Sequence, residues 1–284
     1  MSTRADTVPQ KPVLLTGASG ALGRVLTRAL GEQGWTLRLT DRVPFPNPLP
    51  EGSRFQLADL EDWPAILRLA EGCGTILHFG GISVEHPFET VIGPNIRGLY
   101  HAYEAARREG ARMVFASSNH AIGFHERTEV LDDDCALAPD GYYGLSKAYG
   151  EMMGGLYRHK HGVESVFLRI GSCFPEPTDA RMLATWLSYG DMTRLVMRAT
   201  LAPTLGPSGT AVIWGASKNS RMTWWRRDGR ETIGWVPQDS ADSYAAALEG
   251  KTSGNPVAER YQGGGFTALD YSRSEPPLLP PPSS

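Results

Sequence analysis

The chain has 284 residues, of which 41% are hydrophobic and 21% charged, with a formal net charge of −3. That balance is typical of a soluble globular protein with ample material for a core, and it excludes a disordered chain. It also excludes a broad basic field for nucleic acid or an anionic membrane, and no apolar run reaches the ~18 residues of a membrane span.

Residues 1–11 are polar and lack the apolar stretch of a signal peptide, so they read as a disordered N-terminal arm on a cytoplasmic enzyme. From 12 to 170, short β-branched and apolar runs alternate with stretches of helical period. Strands are expected at 13–16, 36–41, 54–57, 75–79, 113–117 and 165–170, and helices at 21–33, 63–70, 96–109 and 143–159. Repeated βαβ units of this kind predict the α/β class, a doubly wound parallel sheet or Rossmann fold. Residues 171–267 are less regular and are expected to form a small C-terminal substrate lobe within the same compact unit. Helices fall there at 182–189, 192–200 and 240–249, with a strand at 211–214. Residues 268–284 form a Pro-rich tail whose composition cannot build a core.

The three cysteines, Cys73, Cys135 and Cys173, show neither Cys-x-x-Cys nor Cys/His spacing. Free thiols in a reducing compartment are expected, with no metal site and no disulfide framework.

Chemistry begins at the first strand. It runs directly into Thr16-Gly17-Ala18-Ser19-Gly20-Ala21-Leu22-Gly23, which opens the first helix, and this is the context a dinucleotide fingerprint needs. Gly17 permits the turn, Gly20 lets backbone approach a pyrophosphate, and Gly23 lets the helix close on the sheet. The helix N-terminus supplies N–H groups and positive dipole to the phosphates. Asp41 closes the second strand, where an acid accepts from adenosine ribose hydroxyls and repels a 2′-phosphate, so NAD is the expected cofactor. Arg42 and Arg24 are the residues that would favour NADP instead. Asp59 is placed either to meet the adenine amino group or to cap the next helix, and Gly80-Gly81 either to let a ligand pass close to backbone or to make an ordinary turn.

Tyr143 and Lys147, four apart on a helix, rise from one face. An ammonium beside a phenol favours the phenolate and would draw its pKa of ~10 toward working pH, making a usable base. Ser118, at the end of the fifth strand, can hold the reacting oxygen beside that phenol.

Together, the Gly17–Gly23 turn, Ser118 and the Tyr143/Lys147 pair resemble the extended short-chain dehydrogenase/reductase superfamily. The run from Ala116 through Ser-Ser-Asn-His-Ala-Ile-Gly to Phe124, with Gly171-Ser172, Arg181 and Tyr261 through Phe266, is similar to the uronate dehydrogenases in particular. That resemblance implies oxidation of D-galacturonate or D-glucuronate at C1 to the aldarolactone with NAD, in a homo-oligomer. It places Ser83, Ser118, Asn119, His120, Tyr143, Ser172, Arg181 and Phe266 around the sugar acid. Gly17, Ser19, Gly20, Ala21, Leu22, Gly23, Asp41, Asp59, Leu60, Gly80, Gly81, Asn95, Tyr143 and Lys147 are expected around NAD. Arg181 suits the carboxylate because a guanidinium binds it through two parallel hydrogen bonds. Read alone, a strand-end histidine such as His120 is more often structural, and Phe266 serves equally as a C-terminal anchor. The family run continues from Gly-Phe into Tyr, whereas here His125 follows Phe124, which bears on the adjoining loop only. A nucleotide-sugar epimerase or another sugar dehydrogenase of the superfamily is the alternative enzyme, and a non-catalytic NAD sensor the alternative of a different class.

Overall fold

The computed structural model describes residues 7–273. It contains strands β1 (Val13–Thr16), β2 (Leu37–Asp41), β3 (Arg54–Leu57), β4 (Thr75–His78), β5 (Arg112–Phe115), β6 (Ser165–Ile170), β7 (Ser172–Cys173), β8 (Trp186–Leu187) and β9 (Thr210–Gly215). Seven of them form one sheet of order β3-β2-β1-β4-β5-β6-β9, with every neighbouring pair parallel. The order reverses between β1 and β4, and a ligand crevice is expected outside the strand ends at such a switch point.

Helices α1 (Ala21–Glu32), α2 (Trp63–Ala70), α3 (Phe88–Val91), α4 (Gly98–Glu109), α5 (Tyr142–His161), α6 (Met182–Thr185) and α7 (Tyr189–Leu201) surround the sheet. Alternating side chains of β1 show why both faces must be covered. Val13 and Leu15 pack with Leu26 and Leu30 of α1 and Leu195 and Val196 of α7. Leu14 points the other way, into a cluster with Ile66 of α2, Leu99 of α4 and Tyr157 of α5. A strand buried on both faces reads as a continuous apolar run rather than an alternating one.

β9 arises from the segment expected to form the lobe, yet pairs with β6 over six residues, so residues 171–267 share the sheet with the first part of the chain. The helix expected at 182–189 stops at Thr185 because Trp186 and Leu187 turn extended and pair with Ser172 and Cys173. Between α3 and α4, Ile92–Arg97 winds as a π-helix, an irregular segment that the apolar periodicity did not signal.

Of the arm expected to be disordered, residues 7–11 are described and are tied down. Val8 packs against the core, and the Trp35 indole N–H donates to the Thr7 carbonyl at 2.9 Å. A large indole buried at the sheet edge needs such an acceptor. The Pro-rich tail lies outside the described residues from 274 onward. No helix among the described residues is long and apolar enough to cross a membrane.

Candidate functional site

At the carboxyl ends of the strands a cavity of about 750 Å³ runs from the β1–α1 turn to Phe266. Every residue expected around NAD or the sugar acid lines it, with Asn95 as the exception.

Gly17 takes φ +72°, and a Cβ there would sit 2.6 Å from the backbone of Phe79 and Gly80. A Cβ on Gly23 would sit 2.1 Å from the Gly17 carbonyl oxygen, so the helix start and the turn fit only as glycines. Gly20 is the N-cap of α1 and no side chain caps the helix, which leaves the first N–H groups of Ala21, Leu22 and Gly23 facing the cavity. An uncapped helix end of this kind fits a pyrophosphate. The Asp41 carboxylate accepts from Ser19 N at 3.0 Å and from Val43 N at 3.3 Å, fixing it at the rim. Two carboxylate oxygens retain further lone pairs for ribose hydroxyls.

Asp59 accepts from Glu61 N at 2.9 Å, while the cap of α2 is Asp62, which accepts from Ala65 N at 3.1 Å. Of the two openings left for Asp59, capping this helix is therefore removed. Leu60 adds an apolar wall. Gly80 N donates to Thr16 Oγ1 at 3.1 Å, and that hydroxyl meets His78 Nδ1 at 3.0 Å. Burial, and then the Lys147 charge, push His78 down to about 3, so it stays neutral.

Asn95 stands outside the lining, with both amide N–H groups and one lone pair of its Oδ1 engaged. It accepts from Ile82 N at 2.7 Å and donates to Ile82 O at 3.0 Å and to Ser146 Oγ at 2.9 Å. It thereby pins the Gly81–Ile82 turn, and with it the exposed Ser83, to helix α5.

The end expected to carry the chemistry is built on α5 and β5. Lys147 Nζ donates to Ala116 O at 2.8 Å and lies 5.3 Å from the Tyr143 ring centroid. Glu151, one turn further on, pairs with Arg169 of β6 at 2.8 Å and accepts from Ser117 Oγ at 2.6 Å, so the strand end carrying Ser118 is locked to the helix carrying Tyr143. The expected lowering of the phenol is not what the protein alone produces. Burial pushes Tyr143 up to about 12, against the neighbouring Ser118 hydroxyl, and the Asp140 charge adds to the rise. Burial pushes Lys147 the opposite way, to about 8. Desolvation decides the direction of both shifts.

At the far end the Arg181 Nε donates to Gln262 O at 2.8 Å and Nη1 to Ser172 Oγ at 3.3 Å. The Asn119 amide, oriented to donate to Ile170 O at 3.0 Å, accepts from Arg181 Nη2 at 2.6 Å. Three of the five guanidinium hydrogens are thus engaged, and one on each terminal nitrogen remains. Burial, and next the Arg127 charge, push Arg181 down to about 10, which leaves it cationic at neutral pH. Ser172 also meets Thr185 Oγ1 at 2.9 Å. His120 stacks on Phe266 with centroids 3.9 Å apart and planes 17° apart, and meets the Tyr143 ring edge-on at 5.7 Å.

Sequence reasoning missed Met182 in the lining and Asp140 directly behind it, and gave no role to Gly263 and Gln262 within the Tyr261–Phe266 run. The run of three glycines before Phe266 was the one available signal, since glycines crowd where backbone must approach side chains. Among the described residues, no group of three or more His, Cys, Asp or Glu could hold a metal ion, and the three cysteines are free.

The family model described as NAD dependent epimerase/dehydratase family matches residues 13–212. A uronate dehydrogenase of Pseudomonas syringae pv. tomato is 43% identical over 94% of this chain and 97% of its own length. Among solved structures, a glucuronic acid dehydrogenase from Chromohalobacter salexigens is similar with 43% identity and TM-score 0.84, covering 90% of this chain and 96% of that one. A mutant uronate dehydrogenase from Agrobacterium tumefaciens complexed with NAD is similar with 42% identity and TM-score 0.84, covering 91% of this chain and 97% of that one. With the glycine turn, Ser118 and the Tyr143/Lys147 pair lining one cavity, the chain belongs to the NAD dependent epimerase/dehydratase family and stands within it among the uronate dehydrogenases.

Proposed function

We propose that this chain oxidises a hexuronic acid at C1 to the aldarolactone with NAD. The observation that carries the reading is Arg181: a cationic guanidinium with one hydrogen left on each terminal nitrogen, in the same cavity as Tyr143 and the glycine turn. Such a fork takes a carboxylate through two parallel hydrogen bonds. Gly17, Ser19, Gly20, Ala21, Leu22 and Gly23 would hold the pyrophosphate, Asp41 the adenosine ribose, and Asp59, Leu60, Gly80 and Gly81 the walls of the adenine and ribose channel.

With the carboxylate on Arg181, the sugar ring lies between Ser83, Asn119, His120, Ser172 and Phe266, and its anomeric hydroxyl reaches Ser118 and Tyr143. NAD supplies the hydride acceptor when bound. Ser118 holds the hydroxyl oxygen, and Tyr143 as phenolate takes its proton. Burial opposes that phenolate, and the Lys147 ammonium favours it while keeping two hydrogens beyond its bond to Ala116 O for the nicotinamide ribose. The aldarolactone opens in water without further help from the protein.

A homo-oligomer in the cytoplasm completes the reading. Tyr142, Leu145, Met152 and Leu156 leave an apolar stripe exposed along α5, a face suited to a second copy, and three free thiols suit a reducing compartment.

Arg181→Ala tests the proposal. Turnover of the uronic acid should fall by about a hundredfold or more in kcat/KM, while the weak turnover of the neutral parent sugar falls far less. Equal loss on both substrates would remove the carboxylate from Arg181.

A further inference from the structure

Asp140 is the polar group at this site that no part of the mechanism uses. Its side chain is wholly buried, and its Oδ2 meets His120 Nδ1 at 2.7 Å. Three glycines from three segments close around the carboxylate. A Cβ on Gly123 or on Gly263 would sit 1.9 Å from Oδ2, and one on Gly144 would sit 2.9 Å from Oδ1. Among the described residues, Oδ1 has no hydrogen-bond partner. Asp140 also directly precedes Gly141, the N-cap of the twenty-residue helix α5, where the helix dipole favours a carboxylate.

This arrangement holds the imidazole in every degree of freedom. Phe266 fixes the ring plane from one side, at 3.9 Å and 17°. The bond to Asp140 fixes rotation within that plane. Nε2, the nitrogen left over, has no partner among the described residues, and the ring lines the cavity.

We infer that Asp140 is a positioning residue that determines specificity through His120. A carboxylate accepts only, so the neutral ring must carry its proton on Nδ1 and present Nε2 as a hydrogen-bond acceptor. Two unlike groups then face the cavity side by side, Arg181 bonded to Asn119 and His120 next in the chain. Arg181 donates and takes an anion, whereas His120, with its Nδ1–H held by Asp140, accepts from a hydroxyl through Nε2. The inference builds on the uronic-acid reading and extends it. The substrate class is an acid with a ring hydroxyl that reaches His120 Nε2 while its carboxylate is held on Arg181, and the acid binds in one orientation only.

Histidine ¹⁵N shifts, measured on the NAD-bound full chain with His120 assigned by comparison with His120→Gln, test this directly. The wild type is expected to carry the proton on Nδ1 and a bare Nε2. A proton on Nε2 would overturn the inference, whatever the variants do. In Asp140→Ala the proton should move toward Nε2, and KM for the uronic acid should rise about tenfold or more with a smaller loss in kcat. If Asp140→Ala moves the proton without moving KM, His120 does not read the substrate and the inference fails. Failure of the uronic-acid reading looks different, because the wild type would then form no NADH from uronic acid even with the tautomer as stated.

Discussion

Arg181 and Gln262 are joined by an Nε–H···O=C bond of 2.8 Å that ties the cationic end of the cavity to the C-terminal strap. Gln262 is itself immobile. Its Oε1 accepts from Trp225 Nε1 at 2.9 Å, and its Nε2 donates to the carbonyls of Glu126 and Glu129 at 3.0 and 3.2 Å. The guanidinium is therefore placed by backbone that folds only when the strap, the 126–129 loop and the Trp225 segment have come together.

Gly264 is the sensitive point of that strap. It takes φ 66° and ψ −134°, a region open to glycine alone, and a Cβ there would sit 2.6 Å from Arg181 Cδ. Gly264→Ala should destabilise the protein by roughly 1–3 kcal/mol and lower kcat/KM for the acid, with NAD affinity unchanged. Thermal unfolding and NAD titration together check this. A variant that keeps wild-type kcat/KM would show that Arg181 does not depend on the strap.

Asp41 should set the coenzyme preference. Asp41→Ser is expected to raise KM for NAD about tenfold and to improve turnover with NADP, because the variant loses both an acceptor for the ribose and a charge that repels the 2′-phosphate. If stability fell while the NAD/NADP ratio held, Asp41 would be a brace for Ser19 and Val43 and nothing more.

Burial of Lys147 lowers it from its ordinary 10.5 to about 8. Between those values the unfolded chain holds this proton and the folded protein does not, so unfolding takes up a proton and stability rises with pH across that window. Below about pH 8 both states are protonated, and the burial of the charge weighs fully against folding. Against Lys147→Met, the wild type should gain roughly 3 kcal/mol from below pH 8 to 10.5. Tyr143, which is raised to about 12, acts oppositely only above its ordinary 10.0 and does so in both proteins. Denaturant midpoints measured along the pH series test this, and parallel curves would contradict the burial of a charged lysine.

Patterns that repeat along the chain were legible in the sequence. Strand and helix periods located β1 to β6, and fixed spacings exposed the glycine turn and the Tyr143/Lys147 pair. Groups that act across the fold were not. Asp140 looks like an ordinary helix-start acid until Gly123, Gly144 and Gly263 are seen closing around it. Asn95, expected around NAD, bonds Ile82 and Ser146 from outside the cavity lining, a placement that no spacing reveals. The direction of the Tyr143 shift was misjudged for a similar reason. Spacing reveals the neighbouring ammonium but not the depth of burial, and depth decides the sign.

Net oxidation of a free uronic acid by NAD is the reaction proposed for this cavity. Incubating the purified chain with NAD and either D-galacturonate, D-glucuronate, their neutral parent hexoses or nucleotide sugars, and following NADH absorbance, tests it most directly. Stoichiometric NADH is expected with at least one uronic acid, with an aldarolactone as first product, and only weak turnover with the hexoses. No NADH from either acid, or equal rates with acids and hexoses, would contradict it.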